Sequence, residues 1–147
     1  MKKNKFLIVA VIIAVLVSVV LIVLSISQNF ESVEPKVITD KNAYNIGENL
    51  KVEIENNLRK DICFSSCYPY YFEKKGIGWK PYPYIECPSN DFAETCIDPN
   101  QIKAFELSVP SVETGPHRLA IPACLGCSVN EVFRIDTWLH SNSFIVK

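Results

Sequence analysis

Residues 6–24 form an apolar run with no charge, glycine or proline and a single hydroxyl, Ser18, and residues 25–27 extend it to 22 residues. At about 1.5 Å per residue such a helix is roughly 33 Å long, enough to cross a hydrocarbon core of about 30 Å. A soluble helix would need a polar face, and this run has none. Lys2, Lys3 and Lys5 precede it, while Gln28, Glu31 and Glu34 follow. The positive-inside bias therefore holds the amino end in the cytoplasm and exports the rest. A cleaved signal peptide is the alternative, and Ser25-Ile26-Ser27 offers small residues at the cleavage spacing. Its apolar middle is normally only about 7–15 residues, so the length favours an anchor. No cysteine stands near the end of the run to take a lipid. The expected organisation is a basic cytoplasmic tail at 1–5, a transmembrane signal anchor at 6–27, a polar tether at 28–35 and one domain at 36–147.

Beyond the apolar run the chain carries 12 basic and 16 acidic side chains, a net charge of −4. That balance does not build a phosphate-seeking surface, so no nucleic-acid partner is expected.

All six cysteines, Cys63, Cys67, Cys87, Cys96, Cys124 and Cys127, lie in the exported part. An even number in a small domain facing an oxidising compartment argues for disulfides. Two close pairs, Cys63-Phe-Ser-Ser-Cys67 and Cys124-Leu-Gly-Cys127, could also present four thiolates to zinc. A reactive thiol pair at Cys124-Leu-Gly-Cys127 is a third reading. It is the weakest, because no helical pattern follows to depress a thiol pKa. A copper centre lacks its axial thioether, since no methionine follows Met1 and the histidines are His117 and His140 alone. The expected cofactor complement is none.

Period-two patterning dominates residues 36–147. Val37 and Thr39 share one face of a first strand, and residues 44–48 read as a turn. Leu50, Val52 and Ile54 alternate with Lys51, Glu53 and Glu55, which gives a strand with one apolar and one charged face. Asn56-Asn57 ends it. Residues 70–73 and 79–82 read as hairpin arms around Lys74-Lys75-Gly76-Ile77-Gly78, with Pro81 and Pro83 pushing the second arm to an edge or out of the sheet. Residues 87–99 read as irregular connection, which a Cys87–Cys96 bridge could close into a local loop. Strands are expected at 102–109, at 118–121 after a Gly115-Pro116 turn, at 131–138 and at 143–146. About seven short strands and no long helix predict an all-β, antiparallel sandwich.

These segments resemble the immunoglobulin-like domains of exported bacterial and archaeal proteins. The likeness rests on Tyr44-Asn-Ile-Gly47-Glu48 followed by Leu50-x-Val52-x-Ile54-x-Asn56, on the Gly78-Trp79 hairpin, on Gly115-x-His117-Arg118-Leu119 and on Ser141-Asn142-Ser143-Phe144-x-Val146. These are packing motifs. The cysteines depart from the family, because no tryptophan-flanked inter-sheet pair is present. The resemblance implies that the connections bearing Cys63 with Cys67 and Cys124 with Cys127 emerge at one end. The two pairs would meet there as crossed disulfides or a zinc site, with Cys87 and Cys96 joined locally.

The function expected from this reading is a binding or structural module, membrane-anchored by a single span and meeting an extracytoplasmic protein or cell-surface partner. Tyr68, Tyr70, Tyr71, Trp79, Tyr82 and Tyr84 are the candidate contact surface, since tyrosine and tryptophan give large contact area with little rotamer entropy to lose. Alternatively these rings fill the core. A protease-inhibitor-like domain is the second reading, because pinned loops cut the entropy cost of binding. Catalysis is not expected. No Gly-x-Ser-x-Gly, His-Glu-x-x-His or glycine-rich phosphate loop is present, and Asp91, Glu94 and Asp98 read as solvated loop carboxylates without a calcium-loop pattern.

Overall fold

A computed structural model describes residues 17–18, 34–67, 69–82 and 91–147. Val17 and Ser18 are helical; the rest of the expected span at 6–27, and the tether up to Val33, lie outside the described residues. Among those residues no helix is long and apolar enough to cross a membrane. Glu34–Lys147 is one compact unit.

Its strands are β1 (Lys36–Thr39), β2 (Ala43–Tyr44), β3 (Asn49–Glu55), β4 (Ile62–Ser65), β5 (Tyr71–Lys75), β6 (Trp79–Pro81), β7 (Ala93–Ile97), β8 (Ile102–Ser108), β9 (Gly115–Leu125), β10 (Thr137–His140) and β11 (Phe144–Val146). Among the described residues eleven strands stand where about seven are expected, because several are short pieces that pair in succession along one strand edge. They form a three-stranded sheet, β1-β3-β8, and an eight-stranded sheet with the path β2-β11-β9-β4-β7, to which β10, β5 and β6 are added. All pairings are antiparallel except that of β11 with β2.

Strand β9 is the hub. One edge pairs β5 through residues 117–120 and then β4 through Cys124 and Leu125, while the other pairs β11 and then β10. Two prolines lie inside it, which is why a turn was expected at Gly115-Pro116 and a strand only at 118–121. The Leu119 and Leu125 amides and the Leu119 and Ala123 carbonyls all bond toward the β10 side. By alternation, Pro116 and Pro122 face the opposite edge. There β5 reaches only from His117 to Ala120, and β4 begins at Cys124. Both rings therefore stand where a missing N–H forfeits no ladder bond.

Inward alternation builds the main core. Val37, Leu50, Val52 and Ile54 of the small sheet meet Ile62, Phe64, Phe72, Leu119, Ile121, Leu139 and Phe144 of the large one. Phe64 and Phe105 touch edge to face between the sheets, centroids 5.8 Å apart. Tyr44 packs edge-on against Phe144 at 5.3 Å, and its hydroxyl donates to Asp40 and accepts from the Lys41 amide. That hydroxyl ties down the crossing from β1 to β2. Asn56 is wholly buried and fully used: its amide nitrogen donates to the Lys60 and Ile97 carbonyls, and its side-chain oxygen accepts from Leu58. The expected strand end at Asn56 is thus a clasp joining β3 to the chain around β7.

Two other expectations change. Residues 87–99 contain β7, because Ala93 and Ile97 bury their side chains against β4. Residues 131–136 are not strand: Arg134 pairs with Glu131 and Asp136 within the segment, and Val132 and Ile135 are exposed. Their alternation is satisfied locally, and the strand begins only at Thr137.

His117 is completely buried, stacked between Tyr82 and Phe144. Its Nδ1 faces the Gly115 carbonyl at 2.9 Å and its Nε2 meets no partner. The ring is therefore neutral, with Nδ1–H donating, and burial pushes its pKa below the ordinary 6.5; the nearby Lys74 and Glu113 act in opposite directions. Burial also lowers His140. Because the folded pKa lies below the unfolded one, the unfolded chain takes up more protons as pH drops. Stability is fully present above about pH 6.5 and is lost as pH falls below it. The melting temperature should be level from pH 8 to pH 7 and decline between about pH 6.5 and 5, above the range of carboxylates. His117→Phe, which keeps the stacked ring, should flatten that slope in differential scanning calorimetry, and an unchanged slope would refute the assignment.

Candidate interaction face

Strand alternation gives the large sheet a second, outer face. At one end of it Cys63, Cys96 and Cys124 stand side by side on β4, β7 and β9, since Cys63 is registered opposite both of the others. Cys63 is bonded to Cys96, with Cα atoms 4.0 Å apart, and Cys124 to Cys127 across the Gly126 turn. Gly126 has φ +75°, a left-handed conformation that favours glycine. The two bridges touch: Cys63 Sγ lies 3.1 Å from the Cys127 carbonyl oxygen. With Ala93 they form a small core of their own, over which Phe133 is laid. The loop is held there by backbone bonds from Ala93 to Glu131, Asn130 to Ala93 and Phe133 to Asp91.

The expected local Cys87–Cys96 bridge is therefore not formed. Cys96 is opposed to Cys63 by strand register, and register overrides nearness in sequence. The two close pairs do not join: Cys63 bonds to Cys96 and Cys124 to Cys127, so neither the crossed disulfides nor the four-thiolate zinc site expected of them is formed, although Cys63 lies against Cys127. Cys67 is also disulfide-bonded. Cys87 lies outside the described residues, and among those described no cysteine is free. Asp91 is not simply solvated: it accepts from the Ser65 and Ser66 hydroxyls and from the Cys67 amide, capping the β4 bulge. Glu94 and Asp98 are exposed.

Beyond the sulfur cluster the same face continues as an aromatic strip. Tyr71 on β5 and Trp138 on β10 meet across β9, centroids 5.5 Å apart, above Ala120. Next along, Glu73 and Arg118 are directly opposite and form an ion pair at 2.6 Å, both largely shielded from solvent. The Arg118 guanidinium also lies 4.5 Å from the centre of the Trp79 ring, and Lys75 Nζ lies 5.6 Å from the same ring. Tyr71, Glu73, Pro81, Trp138 and His140 edge a shallow depression. Trp138 keeps 44% of its surface in water.

The candidate rings thus divide. Tyr71 and Trp79 belong to this strip, whereas Tyr70 turns inward against Phe72 and Tyr82 stacks on His117 with its hydroxyl accepting from the Glu113 amide. Adjacent strand residues point to opposite faces, so Tyr70 and Tyr71 could not serve together. Tyr68 and Tyr84 lie outside the described residues. Trp138, Arg118, Glu73 and His140 were not among the sequence candidates; the signal that could have found them is their outward parity shared with Tyr71, Glu73 on the same strand β5, Arg118 on β9, and Trp138 and His140 on β10.

No protein-family model matches the chain, and no curated protein matches it. Among solved structures, the alkylpurine DNA glycosylase AlkC of Pseudomonas fluorescens, bound to DNA containing an abasic site analog, aligns at 12% identity with a TM-score of 0.37. The alignment covers 78% of this chain and 30% of that one. A likeness at this level carries no argument about fold or activity.

The bridges predict their own energetic ranking. Cys63–Cys96 spans 33 residues and Cys124–Cys127 spans 3. Loop-closure entropy assigns them about 3.7 and about 1.6 kcal/mol. Denaturant titration of Cys63→Ala/Cys96→Ala against Cys124→Ala/Cys127→Ala should reproduce that order, and non-reducing peptide mapping should recover both bridges.

Proposed function

We propose that this chain is a membrane-anchored, extracytoplasmic binding module of immunoglobulin-like architecture, non-catalytic, which engages a partner protein through the outer face of its large sheet. The observation that carries the reading is the strip of Trp138, Tyr71, Arg118 and Trp79, in which aromatic and arginine side chains lie together on a rigid surface and remain partly exposed. Tryptophan, tyrosine and arginine dominate binding hot spots, because they bury large areas without ordering many rotors. The ion pair between Glu73 and Arg118 holds the guanidinium 4.5 Å from the Trp79 ring centre before any partner arrives. The net charge of −4 beyond the apolar run supports a protein in preference to a nucleic acid. The anchor and the outward orientation rest on the apolar run and its lysines.

A photo-crosslinking side chain placed at Trp138 in intact cells should trap a defined protein that the same group at Lys51, exposed on the small sheet, does not. Once the partner is identified, Trp138→Ala should weaken its binding by about tenfold or more at unchanged melting temperature. Equal adducts from both positions, or full affinity in Trp138→Ala, would remove the reading. A membrane-impermeant amine-reactive biotin added to intact cells should label the exposed Lys51, and absence of label there, with labelling restored after lysis, would overturn the topology.

A further inference from the structure

A sheet edge is where another chain can pair, and most edges here are protected. Among the described residues the outermost strands are β1 with four residues, β2 with two, β6 with three including Pro81, β7 with five beside a register shift in its ladder, and β10 with four. Shortness, bulges and proline all discourage pairing. Strand β8 is the exception: it has seven residues in unbroken register with β3, no proline, and no strand on its other side. Parity shows which of its backbone groups are free. The Val109 amide donates to the Glu48 carbonyl, the Val109 carbonyl accepts from Gly47, and the Gln101 carbonyl accepts from the Asn56 amide, all on the β3 side. By alternation the N–H and C=O groups of Ile102, Ala104, Glu106 and Ser108 point to the open edge. Among the described residues no hydrogen bond reaches them.

The side chains along this edge are also incompletely covered. Phe105 and Leu107 alternate toward the core yet remain only half-buried, beside an apolar cavity of about 250 Å³ whose inner wall is Val52, Ile54 and Ile121. Ile102 keeps 62% of its surface in water. What completes such an edge is an extended strand with apolar side chains at alternate positions, and β8 itself has that pattern. A two-fold axis through Phe105, perpendicular to the small sheet, sets Phe105 against Phe105 of a second copy, Ala104 against Glu106, Lys103 against Leu107 and Ile102 against Ser108. The whole strand is then paired, each free N–H and C=O meets its counterpart, and no like charges oppose one another. Neighbouring registers are poorer. Centring the pair on Glu106 or on Lys103 opposes two carboxylates or two ammonium groups, and centring it on Ala104 sets Leu107 against Gln101. Lys103, inward by parity, stays exposed with its ammonium 5.9 Å from its own Phe105 ring centre, so it does not block the edge.

We propose that β8 is a dimer interface: a second copy of this chain adds its own β8 antiparallel, in register about Phe105, and joins the two small sheets into one. The contact is independent of the outer strip, since Tyr71, Trp79, Arg118 and Trp138 all lie on the large sheet.

Sedimentation equilibrium of the full-length chain in density-matched detergent micelles tests it, and the chain should associate to a dimer. Ala104→Pro removes an N–H that faces the open edge and forfeits no ladder bond to β3, so it should keep the circular dichroism of the folded sheet and weaken the dimer by about tenfold or more. Ala104→Lys sets an ammonium opposite Glu106 of the second copy at two symmetric positions, and opposite Glu53 within its own sheet. It should tighten the dimer about fivefold, and it decides the matter alone if Ala104→Pro does not fold. A photo-crosslinking side chain at Ser108, in cell membranes holding isotopically light and heavy copies, should join two copies with the adduct mapped near Ile102 of the second. The same group at Lys36 on β1, the opposite edge of that sheet, should not. A monomer, a dimer that survives in folded Ala104→Pro, a dimer loosened by Ala104→Lys, or a Ser108 adduct to a different protein alone would overturn the proposal.

Discussion

The architecture hangs on the backbone hydrogen bonds of a single strand. β9 is eleven residues long and shares each of its edges between two partners in succession, so four other strands are positioned by its ladder. A strand in that role must satisfy almost every N–H and C=O group it carries. The placement of Pro116 and Pro122 at the two intervals where the β5/β4 edge has no neighbour shows how closely the sequence fits this demand. A proline shifted by one residue would face the β11/β10 edge, where the ladder is continuous from Gly115 to His117 and resumes at Ala120.

A strand paired on both edges also separates two chemistries. Its inward residues His117, Leu119, Ile121 and Ala123 enter the main core, whereas Arg118, Ala120 and Cys124 face outward. The outer side would be an ordinary wet sheet face, except that the two disulfides and Phe133 cover its far end. A domain of this size buries a modest share of its surface, and covalent closure of its loops offsets part of what the core lacks. The same cover fixes the loop that leads into β10, so Trp138 is delivered from a pinned segment and not from a free one.

Half-buried strands were legible in the sequence because water on one side leaves an alternating record. Leu50, Val52 and Ile54 showed β3, and the two arms around Gly76 and Gly78 showed the hairpin. What escaped had no such record. β4 is buried on both faces, so Ile62, Cys63, Phe64 and Ser65 carry no alternation. β7 follows a run rich in proline and polar residues. The false strand at 131–136 had alternation without burial, its charges being paired among themselves. Cysteine connectivity was illegible for a related reason: spacing along the chain measures loop length, whereas Cys63 and Cys96 are neighbours only through strand pairing. The aromatic stretch was identified as a group, but its division between faces follows from parity, which Tyr70 and Tyr71 state by adjacency alone.

The parallel pairing of β11 with β2 joins the last strand to one of the first. Phe144 and Val146 complete the main core, and the Ile145 and Lys147 amides bond back to Asn42 and Tyr44. The core is therefore complete only when β11 docks, since Phe144 packs against Tyr44 and Phe72 once β11 pairs β2 and β9. An intermediate lacking β11 leaves that apolar surface uncovered and has reason to recruit a chaperone.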